Sequence, residues 1–272
     1  MIRTINLNAD MGESYGKFTV GNDAALMKII KSANIACGFH AGDPTIMVQT
    51  VQLAKDNGVS IGAHPSFLDL QGFGRRQINM SPREIEYMVT YQIGALQAIA
   101  HGAGQKVTHV KPHGSLNNMA HVDLGIATAI AKGIKAADKN LIFVANALSE
   151  MVTAGHNTGL RVAEEAYADR TYTDAGLLTP RSQTNAVIHD AEQAIKQVLS
   201  FIDEQAIITA SGKRLPTRIK TFCTHGDEPG ADVLAGKISA ALAQRGIALV
   251  PDRKSTRLNS SHPSISRMPS SA

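Results

Sequence analysis

Short apolar runs alternate along the chain with longer stretches in which apolar positions recur every three or four residues. The short runs predict strands over residues 4–9, 33–37, 59–63, 107–111, 141–145, 159–162, 219–224 and 247–250. The longer stretches predict helices over 23–31, 44–56, 81–101, 122–138, 190–201 and 231–244. Local signals support these limits. Asp43-Pro44 and Ser81-Pro82 each set a capping side chain before a proline at the first helical position, and Glu84 completes a capping box with Ser81. Asn57-Gly58 and Arg245-Gly246 supply stops just before the next strand.

Regular strand–helix alternation with short connections implies parallel strands covered by helices, as a closed barrel or an open doubly wound sheet. The polar residues favour the barrel, where reactive side chains gather at the carboxyl ends of several strands. Asp10, His40, His64, Lys111, His113 and His225 all fall at or just beyond a predicted strand end. Strand alternation gives direction as well. In the first strand Ile5, Leu7 and Ala9 oppose Asn6, Asn8 and Asp10; in the third, Val59, Ile61 and Ala63 oppose Ser60, Gly62 and His64. The apolar phase suits packing against helices, and the polar or small phase suits a barrel interior.

The chain has 272 residues, 43% hydrophobic and 18% charged, enough to bury a sizeable core and unlike a disordered protein. No apolar run reaches the roughly 18 residues of a membrane span, and no apolar signal core opens the chain, so a cytoplasmic protein without membrane partners is expected. Cys37 and Cys223 are too few for a disulfide framework. The net charge of +4 raises nucleic acid as a partner until the charge is located. Four of the 27 basic residues lie in 253–272, which holds no acid, and the 23 that remain match the 23 acidic residues. That segment is rich in serine, lacks apolar periodicity and resembles translated adapter DNA. The expected organisation is a single catalytic barrel domain over 1–252 and a disordered, non-native tail over 253–272. Nucleic acid thereby loses its only support.

The candidate chemistry lies in seven segments. Asn8-Ala9-Asp10-Met11-Gly12-Glu13 sets two carboxylates near one strand end, where one can ionise as base while the other stays protonated as acid; the alternative is a turn cap and a solvated glutamate. Cys37-Gly38-Phe39-His40 and Gly62-Ala63-His64-Pro65 expose an imidazole each, as general base, metal ligand or plain loop residue. His109-Val110-Lys111-Pro112-His113 presents three titratable groups on one face, with Pro112 favouring a turn that aims His113. Gly72-Phe73-Gly74-Arg75-Arg76 suits an anion cradle or a flexible loop, and residues 167–182 read as a lid. Thr224-His225-Gly226-Asp227 repeats the strand-end histidine. His101, His121, His156 and His189 read as structural or solvent-facing. No phosphate-binding loop, dinucleotide fingerprint, nucleophile elbow or zincin pair is present.

The ordered series LNADMGES, SANIACGFHAGDP, IGAHPSF, GFGRR, HVKPHGSL, YADRTY, TPRSQ and THGDEPGA resembles the LamB/YcsF family. Asn117 stands where that family usually has tyrosine, and Asp174-Ala175-Gly176 carries one extra residue. The resemblance implies a distorted β/α (TIM-like) barrel of the glycoside hydrolase/deacetylase type. It implies the A-subunit of an ATP-dependent 5-oxoprolinase, opening 5-oxo-L-proline to L-glutamate with ATP as cosubstrate and partner subunits B and C. On the matching positions Asp10 and His64 are expected to activate water, Glu13 and His113 to pass a proton to the ring nitrogen, and Lys111 with Arg76 to hold anionic oxygens. His40 and His225 complete the rim, and Asn8, Asp169, Arg170, Arg181 and Asp227 are expected to contact substrate. Two alternatives stand beside this reading: a metal-dependent amidohydrolase or deacetylase with a divalent ion on Asp10, His40 and His64, and a non-catalytic component that delivers substrate.

Overall fold

A computed structural model describes residues 2–224 and 230–252. His225 and Asp227, and the segment 253–272, lie outside the described residues. The chain opens with β1 (Thr4–Met11), α1 (Asp23–Leu26), β2 (Ser32–Ala36), α2 (Pro44–Asp56), β3 (Ser60–His64) and α3 (Pro82–Gly102). It continues through β4 (Val107–Val110), α4 (Gly114–Val122), α5 (Leu124–Ala137), β5 (Ile142–Asn146), α6 (Glu150–Thr158) and β6 (Arg161–Tyr167). The last elements are α7 (Ala191–Glu204), β7 (Ala206–Ile208), β8 (Arg214–Pro216), β9 (Ile219–Thr224), α8 (Ala231–Gln244) and β10 (Ala248–Leu249). Strands β1-β2-β3-β4-β5-β6-β9 are parallel neighbours, and β9 pairs back onto β1, closing a seven-stranded barrel. The short β10 lies beside the start of β1. This is the distorted β/α barrel.

The two strand phases do what their chemistry requires. Ile5, Leu7, Ala9, Ile35, Ile61 and Ala63 join the core beneath the helices. Asn6, Asn8, Ser32, Asn34, His109, Glu165 and Thr221 are buried inside the barrel, where each must be hydrogen-bonded to avoid a desolvation cost of about 1–3 kcal/mol. Asn6 Nδ2 donates to Ser32 Oγ (2.8 Å), Thr221 Oγ1 to Asn6 Oδ1 (2.7 Å) and Asn34 Nδ2 to Asn8 Oδ1 (2.7 Å). Gly62 makes room for this interior, because a Cβ there would lie 2.1 Å from His109 Nε2. Ile142 and Val144 on β5 and Ala163 on β6 form a separate buried apolar cluster.

Helices α2 and α8 match their sequence-predicted limits, and both predicted caps of α2 and α3 form, Asp43 on Thr45 and Ile46 and Ser81 reciprocally with Glu84. Other elements differ. Helix α1 ends at Leu26 instead of running to residue 31, and α4, α6 and the β7–β8 hairpin arise in segments read as connections. Strand β6 runs to Tyr167, five residues beyond its predicted end, because pairing with β5 and β9 carries Glu164 and Glu165 into the sheet. No helix among the described residues is long and apolar enough to cross a membrane.

Candidate active site

The carboxyl ends of the strands surround a cleft of ≈ 540 Å³, within the range of about 300–1,000 Å³ usual for ligand sites. Strand β1 delivers Asp10 and the following turn Glu13; β3 ends on His64. Strand β4 stops at Val110, so Lys111 and, after Pro112, His113 stand at the mouth, His113 also serving as the N-cap position of α4. Lys111 Nζ lies 2.9 Å from Asp10 Oδ1, 3.4 Å from Glu165 Oε1 and 3.0 Å from Cys223 Sγ. His64 Nε2 lies 3.3 Å from Asp10 Oδ2 and 3.1 Å from His113 Nδ1. Glu13 Oε1 is 3.0 Å from His40 Nε2 and 3.4 Å from His113 Nδ1. The His40 and His113 rings stack at 3.7 Å.

The loop Gly72–Arg76 is a wedge, not an anion cradle. Its five amides are engaged within the loop, by Asp69 for Gly72, Gly74 and Arg76, by Leu70 for Phe73 and by Gly72 for Arg75. Gly74 has φ +65°, and a Cβ there would fall 2.5 Å from Ser66 Oγ and 2.8 Å from His40 Cβ, so only glycine fits between the histidines. The wedge sets the Phe73 carbonyl 2.8 Å from His113 Nε2.

Burial and charge divide the titratable groups. Burial opposes ionisation of Asp10, but His64 and Lys111 outweigh it and hold the carboxyl well below the usual range. Burial likewise opposes the charge of Lys111, and Asp10, Cys223 and Glu165 override it, keeping the ammonium well above its ordinary value. Burial raises Glu165 and the Cys223 thiol. It holds His40 and His113 well below the ordinary imidazole value, with His64 adding to the effect on both. His109 is pushed down to about 3 by burial and then by Lys111. An ionised aspartate, a charged lysine and the neutral His113 imidazole thus face one cleft, a set that can move protons and stabilise anionic oxygens.

Asp10, Glu13, His64, Lys111 and His113 come together as the sequence suggests, with His40 directly behind. Asn8 lies beneath them inside the barrel, donating to Glu165 Oε1 (2.9 Å) and Thr221 Oγ1 (2.6 Å). Arg76 does not line the cleft: its largely exposed guanidinium pairs with Asp69, whereas Arg75 does line it. Arg170 and Arg181 reach the cleft from the long 168–190 connection, and Arg170 pins that segment by donating to the Ala186 and Thr179 carbonyls. Asp169 is buried away from the lining. Glu165 is absent from the sequence-based candidates because the pattern ends β6 at residue 162, and Tyr167, read as the start of a lid, is instead the last residue of β6 and lines the cleft. His121, expected to be structural, lines the cleft with Asn117 and Asn146; Asn117 Oδ1, Asn146 Oδ1 and His121 Nε2 are buried there without hydrogen-bond partners. Glu13, His40, His64 and His113 form a buried group able to bind a metal ion, their donor atoms all within 4.8 Å of one another. The expected triad of Asp10, His40 and His64 differs from it, since Asp10 is held by Lys111.

Known proteins share this arrangement of chain and fold. The protein named as the A-subunit of 5-oxoprolinase from Azoarcus sp. (strain BH72) is 50% identical over 246 residues, covering 90% of this chain and 96% of its own. One of the same name from Rhodopseudomonas palustris (strain BisB5) is 52% identical over 248 residues, covering 91% and 98%. The crystal structure of the lactam utilization protein from Thermus thermophilus matches with a TM-score of 0.86 at 41% identity, covering 91% of this chain and 99% of that one. The LamB/YcsF family model matches residues 5–257, and the chain belongs to the LamB/YcsF family.

Proposed function

We propose that this chain is the A-subunit of an ATP-dependent 5-oxoprolinase, a cytoplasmic hydrolase that opens the lactam of 5-oxo-L-proline to L-glutamate with partner subunits B and C. Residues 1–252 are its single catalytic domain. The observation that carries the reading is the 50% identity, over nearly the whole of both chains, to a protein named for that activity. The cleft chemistry supports it. A lactam is a stable amide, and phosphorylation of its oxygen by ATP turns it into a good electrophile for water. Asp10 and His64 activate that water, and Glu13 with His113 returns a proton to the ring nitrogen as the C–N bond breaks, leaving an acyl phosphate that a second water hydrolyses to glutamate and inorganic phosphate. Lys111, bracketed by Asp10 and Glu165, keeps the Asp10 carboxylate ionised and in place. Arg75 and Arg181, which line the cleft, receive the substrate's anionic oxygens. The unpartnered Asn117 Oδ1, Asn146 Oδ1 and His121 Nε2 complement the N–H and C=O edge of a lactam.

The test is glutamate formation from 5-oxoproline and ATP by this chain alone and then with subunits B and C. Turnover is expected with the full set, and its absence there refutes the reading. His64→Ala and Lys111→Ala are expected to abolish turnover with the complex still assembled; a chain that only delivers substrate would leave it active. The buried glutamate and three histidines favour a second reading, a metal-dependent amidohydrolase. In it a divalent ion held by these residues supplies Lewis acidity to the carbonyl or to water. Glutamate formed without ATP, and lost on chelation, would select it.

A further inference from the structure

We propose that Glu13, His64 and His113 are the ligands of one divalent transition-metal ion of the zinc class, with His40 as the residue that positions Glu13. The inference deepens the metal-dependent reading by naming the ion's ligands; with the ion bound, Glu13, His64 and His113 act as ligands in place of the proton-transfer roles the ATP-dependent reading gives them.

Two carbonyl oxygens, which can only accept hydrogen bonds, fix the state of the two rings. The Lys111 carbonyl lies 2.6 Å from His64 Nδ1, so that nitrogen carries hydrogen. The Phe73 carbonyl lies 2.8 Å from His113 Nε2, so that nitrogen carries hydrogen as well. In the neutral rings the remaining nitrogens, His64 Nε2 and His113 Nδ1, both present lone pairs, and they face each other at 3.1 Å. Two further acceptors crowd the same spot: Asp10 Oδ2 is 3.3 Å from His64 Nε2, and Glu13 Oε1 is 3.4 Å from His113 Nδ1. Four acceptors converging in a buried site require a positive charge among them. In the metal-free chain a proton between His64 Nε2 and His113 Nδ1 supplies it; a divalent ion held by His64 Nε2, His113 Nδ1 and Glu13 Oε1 takes that proton's place, and ring N–H groups held by backbone carbonyls are how ligating histidines are oriented.

The spacing agrees. Ligands about 2.0–2.1 Å from a tetrahedral ion lie about 3.3–3.4 Å from one another. The His64–His113 and His113–Glu13 separations are 3.1 and 3.4 Å. His40 fails as a fourth ligand. Its ring lies flat on His113, 8° from parallel, so the in-plane lone pairs of the two rings cannot converge on one ion. Instead its Nε2–H donates to Glu13 Oε1 at 3.0 Å, fixing the carboxylate. Glu13, His64 and His113 border the cleft and His40 does not, so the remaining coordination position opens toward substrate.

The full chain, stripped with chelator and dialysed, is titrated with zinc and with cobalt. Readouts are metal per chain, visible absorption of bound cobalt, thermal midpoint and histidine ring nitrogen NMR. One equivalent is expected, with a raised midpoint and His64 Nε2 and His113 Nδ1 signals shifted to metal-bound values. Glu13→Gln and His113→Gln, shown folded by circular dichroism, are expected to lose the equivalent. His40→Gln is expected to keep the stoichiometry and weaken affinity about 10–100-fold. A folded parent chain that takes up no metal, or glutamine variants that bind as well as the parent, would overturn the proposal. So would NMR showing His64 doubly protonated in excess zinc. None of these readouts depends on lactam turnover.

Discussion

Lys111→Met isolates the ion cluster on which the proposed chemistry rests. Methionine keeps much of the buried stem and removes the ammonium from between Asp10 Oδ1 (2.9 Å) and Glu165 Oε1 (3.4 Å). At an effective dielectric of about 20 each contact is worth about 5 kcal/mol of attraction. The loss is smaller than their sum, because the variant no longer desolvates an ammonium. Removing one partner of a buried pair costs about 3–5 kcal/mol, which we take as the expected loss, against a total stability of about 5–15 kcal/mol for a domain. The pH dependence gives an independent check. In the parent, Asp10 is depressed on folding, so its contribution is complete above its unfolded value near ~4 and is lost only as pH falls below that toward the folded value. In the variant, the pull of Lys111 is gone and burial raises Glu165 further, whereas His64 still holds Asp10. The folded state then binds protons that the unfolded chain does not, and acidification offsets part of the damage. Urea denaturation followed by circular dichroism should show the full loss near pH 7.5 and a smaller one near pH 5. Adding Glu165→Gln should recover about 1–2 kcal/mol near pH 7.5, because the two sites are coupled. A loss under about 1 kcal/mol near pH 7.5, or one that grows on acidification, would refute the reasoning.

Gly74→Ala should cost about 2–4 kcal/mol, combining a left-handed backbone with a Cβ driven against Ser66 and His40, whereas Gly94→Ala, in an exposed helix position with open space, should stabilise by about 0.5–1 kcal/mol. Thermal midpoints of the two variants should move in opposite directions. Asp252 is pushed up to about 7 by burial, so the folded chain holds a proton between about pH 4 and 7 that the unfolded chain releases, and stability falls as pH rises through that window. Asp252→Asn should flatten the decline in denaturation midpoint between pH 5 and 8. Arg75→Ala should raise KM for 5-oxoproline in the assembled enzyme at least about tenfold, as expected for a lost charge-assisted hydrogen bond, whereas Arg76→Ala, already engaged by Asp69 outside the cleft, should leave KM unchanged.

Period-two alternation correctly locates the barrel interior, because a strand whose phases read Asn6-Asn8-Asp10 and Ile5-Leu7-Ala9 has only one consistent way to face helices. The strand-end motifs bring Asp10, His64, Lys111 and His113 together for the same reason. Glu165 is invisible in the sequence because its strand begins with Arg161 and carries two consecutive glutamates, a pattern that suggests a solvated turn until Lys111 and Asn8 are seen beside it. The direction of adjacent arginines is equally hidden. Arg75 and Arg76 differ in role only through Asp69, seven residues before Arg76 and joined to it by a loop whose shape depends on Phe73 and Gly74 adopting positive φ. His121 reads as structural because α4, whose inner face carries Asn117 and His121, opens with Gly114 and a histidine that forms no side-chain cap.

The polar interior of the barrel also constrains how the chain folds. Asn8 completes its hydrogen bonds only on Glu165, Thr221 and the Phe222 carbonyl, 157 to 214 residues away, and Asn6 needs Thr221 and the Val250 carbonyl. Until β9 arrives, β1 has one paired edge and a row of unsatisfied amides. The seam between β1 and β9 is closed by contacts more than 200 residues apart in sequence, so bringing it together carries a large loop-closure cost. During synthesis the site residues on β1, β3 and β4 are made long before the strand that holds them in register. Without β9, β1 and β6 would each present an open parallel edge, the kind of edge that invites wrong pairing.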